Sequence, residues 1–240
     1  MGNHVFASGG GILIKGQAEP IIRNSTISWN KAESTGGGVK VIDKSFFTGL
    51  NLTIENNFTP NEGGGISFSD SSEFLLDSLI LRNNTAFASG GAIIFGITSS
   101  GNLSNTLIEN NSANSKGGGI AFYNHCFPML NNVTFVNNTA PEGAACSCKD
   151  SSHPAFTDCN FFNNTAASAA GAVIFDDYSF GSFNRCVIVQ NVGHGAGGGI
   201  AINDFAHANI SFSYFLNNTA QRGFSFFKLL FFYILIVKFE

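Results

Sequence analysis

Apolar and polar residues alternate with a period of two in short windows along the whole chain. The windows read NSTISWN at 24–30, NLTIENN at 51–57, DSLILRNN at 77–84, NNVTFVNN at 131–138, DCNFFNN at 158–164 and ISFSYFLNN at 210–218. They favour β-branched and aromatic side chains, as half-buried strands do. No window holds a sustained helical period flanked by caps. The pattern predicts short strands and no helices.

The windows recur. Asn3, Asn30, Asn57, Asn84, Asn111, Asn138, Asn164, Asn191 and Asn218 are separated by seven gaps of 27 residues and one of 26. A triplet of small residues follows each of the first eight, as in GGGI at 9–12, GGAI at 90–93, GAAC at 143–146 and AGAV at 170–173. Self-similarity of this kind is one structural unit stacked many times. Three residues before the asparagines stand Ile27, Ile54, Leu81, Ile108, Phe135, Phe161, Ile188 and Phe215. After the triplets stand Ile12, Val39, Ile66, Ile93, Ile120, Cys146, Val173 and Ile200. Two positions further lie Ile14, Val41, Phe68, Phe95, Phe122, Cys148, Phe175 and Ile202. A step of two returns to the same face of a strand, so both columns face one interior.

A unit of short strands and small-residue turns cannot bury its apolar side alone, whereas stacked units can. The expected fold is all-β: a right-handed parallel β-helix of about eight 27-residue coils, its hand taken from general strand chirality. Parallel stacking spaces equivalent residues by about 4.8 Å, so eight coils make a rod on the order of 40 Å long. Asn30, Asn57, Asn84, Asn111, Asn138, Asn164, Asn191 and Asn218 are expected to form a structural ladder, each amide bonding the next. Parity leaves one alternative open. The preceding residues Asn56, Asn83, Asn110 and Asn137 share the phase of the buried Ile/Phe column. The glycine triplets fit a corner that needs positive φ or close backbone approach. One repeat domain is expected over 1–223. An apolar tail over 224–240 reads as an end cap, a clipped membrane segment or a break in reading frame.

Charge is low, with 12 basic and 16 acidic residues and a net charge of −4. That argues against nucleic acid, which calls for a basic face. Eleven Asn-X-Ser/Thr sequons begin at Asn24, Asn51, Asn57, Asn83, Asn102, Asn110, Asn132, Asn137, Asn163, Asn209 and Asn217. They read either as glycosylation sites of a secreted protein or as chance products of an Asn-rich repeat. Asn83, Asn137, Asn163 and Asn217 precede ladder positions and are expected to be crowded. The five cysteines cannot all pair. Cys146, Cys148, Cys159 and Cys186 fill core columns and read as small buried hydrophobes. The chain starts within a coil, as a piece of a longer protein would.

Candidate chemistry is sparse. No catalytic or cofactor-binding set emerges. The column Gly16, Asp43, Asp70, Ile97, Asn124, Asp150, Asp177, Asp204 reads as turn residues. Its stretch Asp150, Asp177 and Asp204 is the one cation candidate, since stacked carboxylates repel unless a cation lies between them. Glu55, Arg82 and Glu109 form an exposed charge ladder. His153 and His207 share a column two coils apart, about 10 Å, too far for one metal.

GGAI at 90–93, its GGGI and GGGV variants, and FxxN as Phe135/Asn138, Phe161/Asn164 and Phe215/Asn218 resemble the repeats of the chlamydial polymorphic outer membrane proteins. The likeness runs over roughly residues 3–223 and implies an adhesin-like β-helix displayed at a cell surface. The expectation is therefore a non-enzymatic, surface-displayed or secreted scaffold without cofactor. It binds a cell-surface, matrix or glycan ligand at an extracellular or outer-membrane location. Membrane attachment through 224–240 or a segment outside the chain fits this reading. The alternative is a polysaccharide lyase or hydrolase of the β-helix type.

Overall fold

The computed structural model describes residues 2–220. The tail 224–240 lies outside them. The chain winds as stacked coils, and each strand pairs in parallel with its counterpart one repeat later. Three sheets run along the stack. The first is made of three-residue strands, Ile12–Ile14, Val39–Val41, Ile66–Phe68, Ile93–Phe95, Ile120–Phe122, Cys146–Cys148, Val173–Phe175 and Ile200–Ile202. The second holds the long strands, from Ile21–Ser28 and Phe46–Glu55 to His207–Ser211 and Tyr214–Leu216. The third is narrow and runs from His4–Val5 to Thr219–Ala220. Among the described residues every element is a strand, and no helix is long and apolar enough to cross a membrane.

The predicted core columns are the core. Ile54, Leu81, Ile108, Phe135, Phe161 and Ile188 are all buried, as are Val39 to Val173 and Val41 to Phe175 in their columns. Like side chains stack. Phe68, Phe95 and Phe122 lie 5.2 and 5.5 Å apart in successive coils, and Phe135 lies over Phe161 at 4.8 Å. Where one side chain swells, its neighbour shrinks. A Cβ at Gly181 would come within 2.1 Å of the Phe175 ring.

The asparagine ladder runs through the stack. Asn57 donates from Nδ2 to Asn84 Oδ1 at 3.0 Å, Asn84 to Asn111 at 3.1 Å and Asn111 to Asn138 at 3.1 Å. The other Nδ2 hydrogen bonds a carbonyl of the preceding coil, as from Asn84 to Ile54 at 2.8 Å and from Asn111 to Leu81 at 3.0 Å. Each Oδ1 also accepts the backbone N–H of the asparagine before it. Both donors and the acceptor of the buried amide are therefore used. Asn84, Asn111, Asn138, Asn164 and Asn191 are wholly buried. The parity alternative fails for a local reason. Trp29, Asn56, Asn83, Asn110, Asn137, Asn163, Gln190 and Asn217 all have φ near +55°, between 53° and 59°. A left-handed residue breaks the alternation, so the side chain after it turns inward again. Asparagine tolerates that conformation better than most residues.

The glycine corner packs against this ladder. The first glycine has positive φ, as at Gly36, Gly63 and Gly90. The last faces the amide: a Cβ at Gly38 would lie 3.1 Å from Asn57 Nδ2. The coil between Asn138 and Asn164 loses its residue in Thr139–Glu142, where the pairing shifts register between Ala140 and Glu142. The shortfall falls in a turn and spares the core.

A second buried polar column was not expected. Ser45, Ser72, Ser99, Ser152 and Ser179, with Cys126 among them, stand inside the turn after the first sheet. Ser99 Oγ donates to Gly96 O at 2.6 Å and Ser179 Oγ to Cys148 O at 3.2 Å. Ser72 Oγ has no protein partner.

Asn111→Ala orphans buried groups on two neighbouring coils and is expected to cost about 1–3 kcal/mol. The exposed Asn102→Ala should stay within about 0.5 kcal/mol of the parent. Denaturant midpoints for the two variants check this, and equal values would count against a load on the ladder. Gly181→Ala should destabilise by about 1–3 kcal/mol through overpacking. Adding Phe175→Leu should recover part of the loss, as a double-mutant cycle would read.

Candidate functional site

The first sheet carries the most constructed surface of the molecule. Its central residues Leu13, Lys40, Ser67, Ile94, Ala121, Ser147, Ile174 and Ala201 alternate with inward positions and so point out. Yet from Lys40 to Ala201 all are buried. The strands are only three residues long, so the flanking turns rise as walls on both sides. The outer face becomes a groove along the rod, and wall side chains close over its floor.

Two charged clusters line the groove. Lys40 Nζ donates to Ser67 Oγ and Ser69 Oγ, each at 3.0 Å. Burial pulls the Lys40 ammonium below its ordinary pKa, against the opposing pull of Asp70 and Glu62. Burial also raises the Glu62 carboxyl, and Lys40 opposes that rise. Further along, Tyr123 spans the groove and its hydroxyl donates to Ser89 Oγ at 3.0 Å. Lys116 Nζ pairs with Glu142 at 2.5 Å and with Asp176 at 3.1 Å. Burial would lower Lys116, but the two carboxylates outweigh it and hold its pKa above the usual value. Asn203 Nδ2 donates to the other oxygen of Asp176 at 2.9 Å. A cavity of about 300 Å³ opens here, with Lys149, Asp177 and Asp204 on its rim.

The aspartate column lies on the adjoining turn. Asp150, Asp177 and Asp204 have φ of 54°, 47° and 45°, and each is followed by a second positive-φ residue. Paired positive φ values mark a type I′ turn, which favours Asp, Asn and Gly. The same geometry recurs at Gly16, Asp43, Asp70 and Asn124, and also at Ile97. Asp177 has Lys149 Nζ at 3.3 Å. Among the described residues no three His, Cys, Asp or Glu side chains converge as metal donors.

The other candidates lie elsewhere. Glu55 and Arg82 pair at 2.6 Å on the long sheet, in the open. His153 and His207 do not meet, because Phe180 stands between them in the register. Ten of the eleven sequon asparagines are exposed, including Asn83, Asn137, Asn163 and Asn217, which were expected to be crowded. Left-handed corners push them outward. Asn57 is the exception, being a ladder amide 1% exposed. All ten exposed positions lie on the long sheet or its bounding corners, away from the groove.

The groove was missed in the sequence because its residues are spread over three columns, Lys40 in one, Ser89 and Lys116 in a second and Tyr123 and Asp176 in a third. The available signal was Lys, Ser and Ile alternating in the central column of a strand whose neighbours are always apolar.

Two outcomes test these assignments. Calcium at millimolar concentration should leave the melting temperature unchanged, since the turn geometry accounts for Asp150, Asp177 and Asp204. A rise that Asp177→Asn abolishes would assign the cation instead. Glu62 has a raised folded pKa, so the native state holds its proton more tightly than the unfolded chain. Its contribution is present at low pH and is lost as pH rises through the ordinary carboxylate range toward the folded value. Glu62→Gln should therefore gain stability relative to the parent as pH rises across that window. Denaturant midpoints of the two proteins at several pH values read the difference.

The family model described as "Right handed beta helix region" matches residues 2–140. No curated protein and no solved structure matches the chain. The parallel coil stack agrees with that match, and the matched segment is more than half of the 240 residues. The chain belongs to the right-handed β-helix family.

Proposed function

We propose that the protein is a non-catalytic β-helix scaffold, displayed on a cell surface or secreted, that binds a cell-surface, matrix or glycan ligand along its length. One observation carries the reading. The groove's two central lysines and its tyrosine are each held by neighbours: Lys116 by Glu142 and Asp176, Tyr123 by Ser89, and Lys40 by two serine hydroxyls. A general base needs a free lone pair within reach of substrate, and a solenoid offers instead a long side-chain surface for recognition. The GGAI and FxxN resemblance to chlamydial polymorphic outer membrane proteins points the same way. It also favours an extracellular or outer-membrane location.

The second reading is a polysaccharide lyase or hydrolase. It is favoured by the cavity where Lys149, Asp177 and Asp204 surround the Lys116 network. Fold alone does not choose between them. Incubation with a panel of acidic and neutral polysaccharides separates the two. Retention on a glycan or cell surface without new reducing or unsaturated ends is expected, and any turnover sinks the scaffold reading. Asp204→Lys and Lys149→Glu should alter retention while leaving the melting temperature within a few degrees, because both stand on the rim.

A further inference from the structure

The five cysteines are all buried free thiols, crowded between Cys126 and Cys186. Their columns differ. Cys126 stands in the serine column, next to Ser99 and Ser152. Cys146 and Cys148 are two apart on one strand, with Cα atoms roughly 6.6 Å apart and side chains running parallel. Cys159 and Cys186 alone are register partners. The strands that follow them pair Asn160 with Val187, and Val187 N donates to Cys159 O at 2.9 Å.

Partners on neighbouring parallel strands stand about 4.8 Å apart, within the Cα separation of about 4.4–6.8 Å that a disulfide accepts. Both side chains enter the core from the same edge. Cys159 Sγ lies 3.5 Å from Leu130 O, and Cys186 Sγ lies 3.5 Å from Phe156 O one coil on. Cys186 is held below its ordinary value by the hydrogen bond from Cys159, and Cys159 is raised by that same contact and by burial.

The position is also where the stack is least regular. Cys159 belongs to the coil one residue short, and in that coil Cys148 interrupts the Phe95, Phe122, Phe175 column. A covalent link there joins the irregular coil to the next and restricts the unfolded chain.

We propose that Cys159 and Cys186 form an inter-coil disulfide when the chain folds in the presence of a disulfide oxidant. One thiolate attacks the oxidant's sulfur–sulfur bond and expels a thiolate. The second protein thiolate then displaces the remaining oxidant sulfur. The protein loses two protons and two electrons, and the oxidant ends as two thiols. Because both sulfurs are buried in the finished fold, the bond closes while the coils dock.

The full chain produced in an oxidising bacterial periplasm and in a reducing cytoplasm tests this. Thiols are titrated after denaturation and linked peptides are mapped. The periplasmic protein should show two thiols fewer than the five of the cytoplasmic protein, a peptide joining Cys159 to Cys186, and a higher unfolding midpoint. Cys186→Ser matches the serine at position 213 of the same column, and its thiol count and midpoint should be the same from both compartments. Five free thiols in the folded periplasmic protein overturn the proposal. So does a link through Cys126, Cys146 or Cys148, or a fall in thiols that survives Cys186→Ser.

Discussion

The structure rests on the buried amide at one corner of every coil. A parallel coil satisfies most of its backbone through its neighbours, but the tight corner after the long strand leaves donors and acceptors facing the core. The asparagine side chain answers that need in both directions. Asn111 gives one N–H forward to Asn138 and one back to Leu81 O, and accepts the amide of Asn84. Buried polar groups are tolerable only when fully bonded. The ladder therefore fixes register: a slipped coil would strand several amides at once.

Other features follow from that register. Identical positions face each other, so rings stack on rings, and the third corner residue must be small enough to lie against the amide beside it. Irregularity is admitted where it costs least. The missing residue falls in Thr139–Glu142 and leaves Asn138 bonded to Asn164 at 3.0 Å. Volume lost from the phenylalanine column at Cys148 is met from the opposite wall, where Phe156 lies 6.3 Å from Phe122.

The same stacking separates the faces. Sequon asparagines and the Glu55–Arg82 and Asp158–Arg185 pairs occupy the long-sheet side, which is open to solvent. The short sheet instead carries a groove in which Lys116 is matched by Glu142 and Asp176. A lysine held by two carboxylates is a fixed charge and a poor proton carrier, which is the physical basis of the proposed scaffold reading.

How much was legible can be read from particular residues. The sequence determined the coil, its repeat and its core columns, because periodic burial writes the same residue type at the same place each time. It also marked the ladder asparagines, but it could not separate Asn84 from Asn83. That choice depends on a left-handed backbone at the first of each pair, which period-two counting cannot see. The turn role of the aspartate column was legible from composition alone. The serine column was not, since a serine looks like surface until the turn around it is closed. The groove was decided by tertiary structure only. Lys40 is buried not by its own strand but by walls contributed from other coils, and Lys116 meets Asp176 60 residues away. Contacts across coils depend on which columns the winding places side by side, and a linear pattern carries no such adjacency.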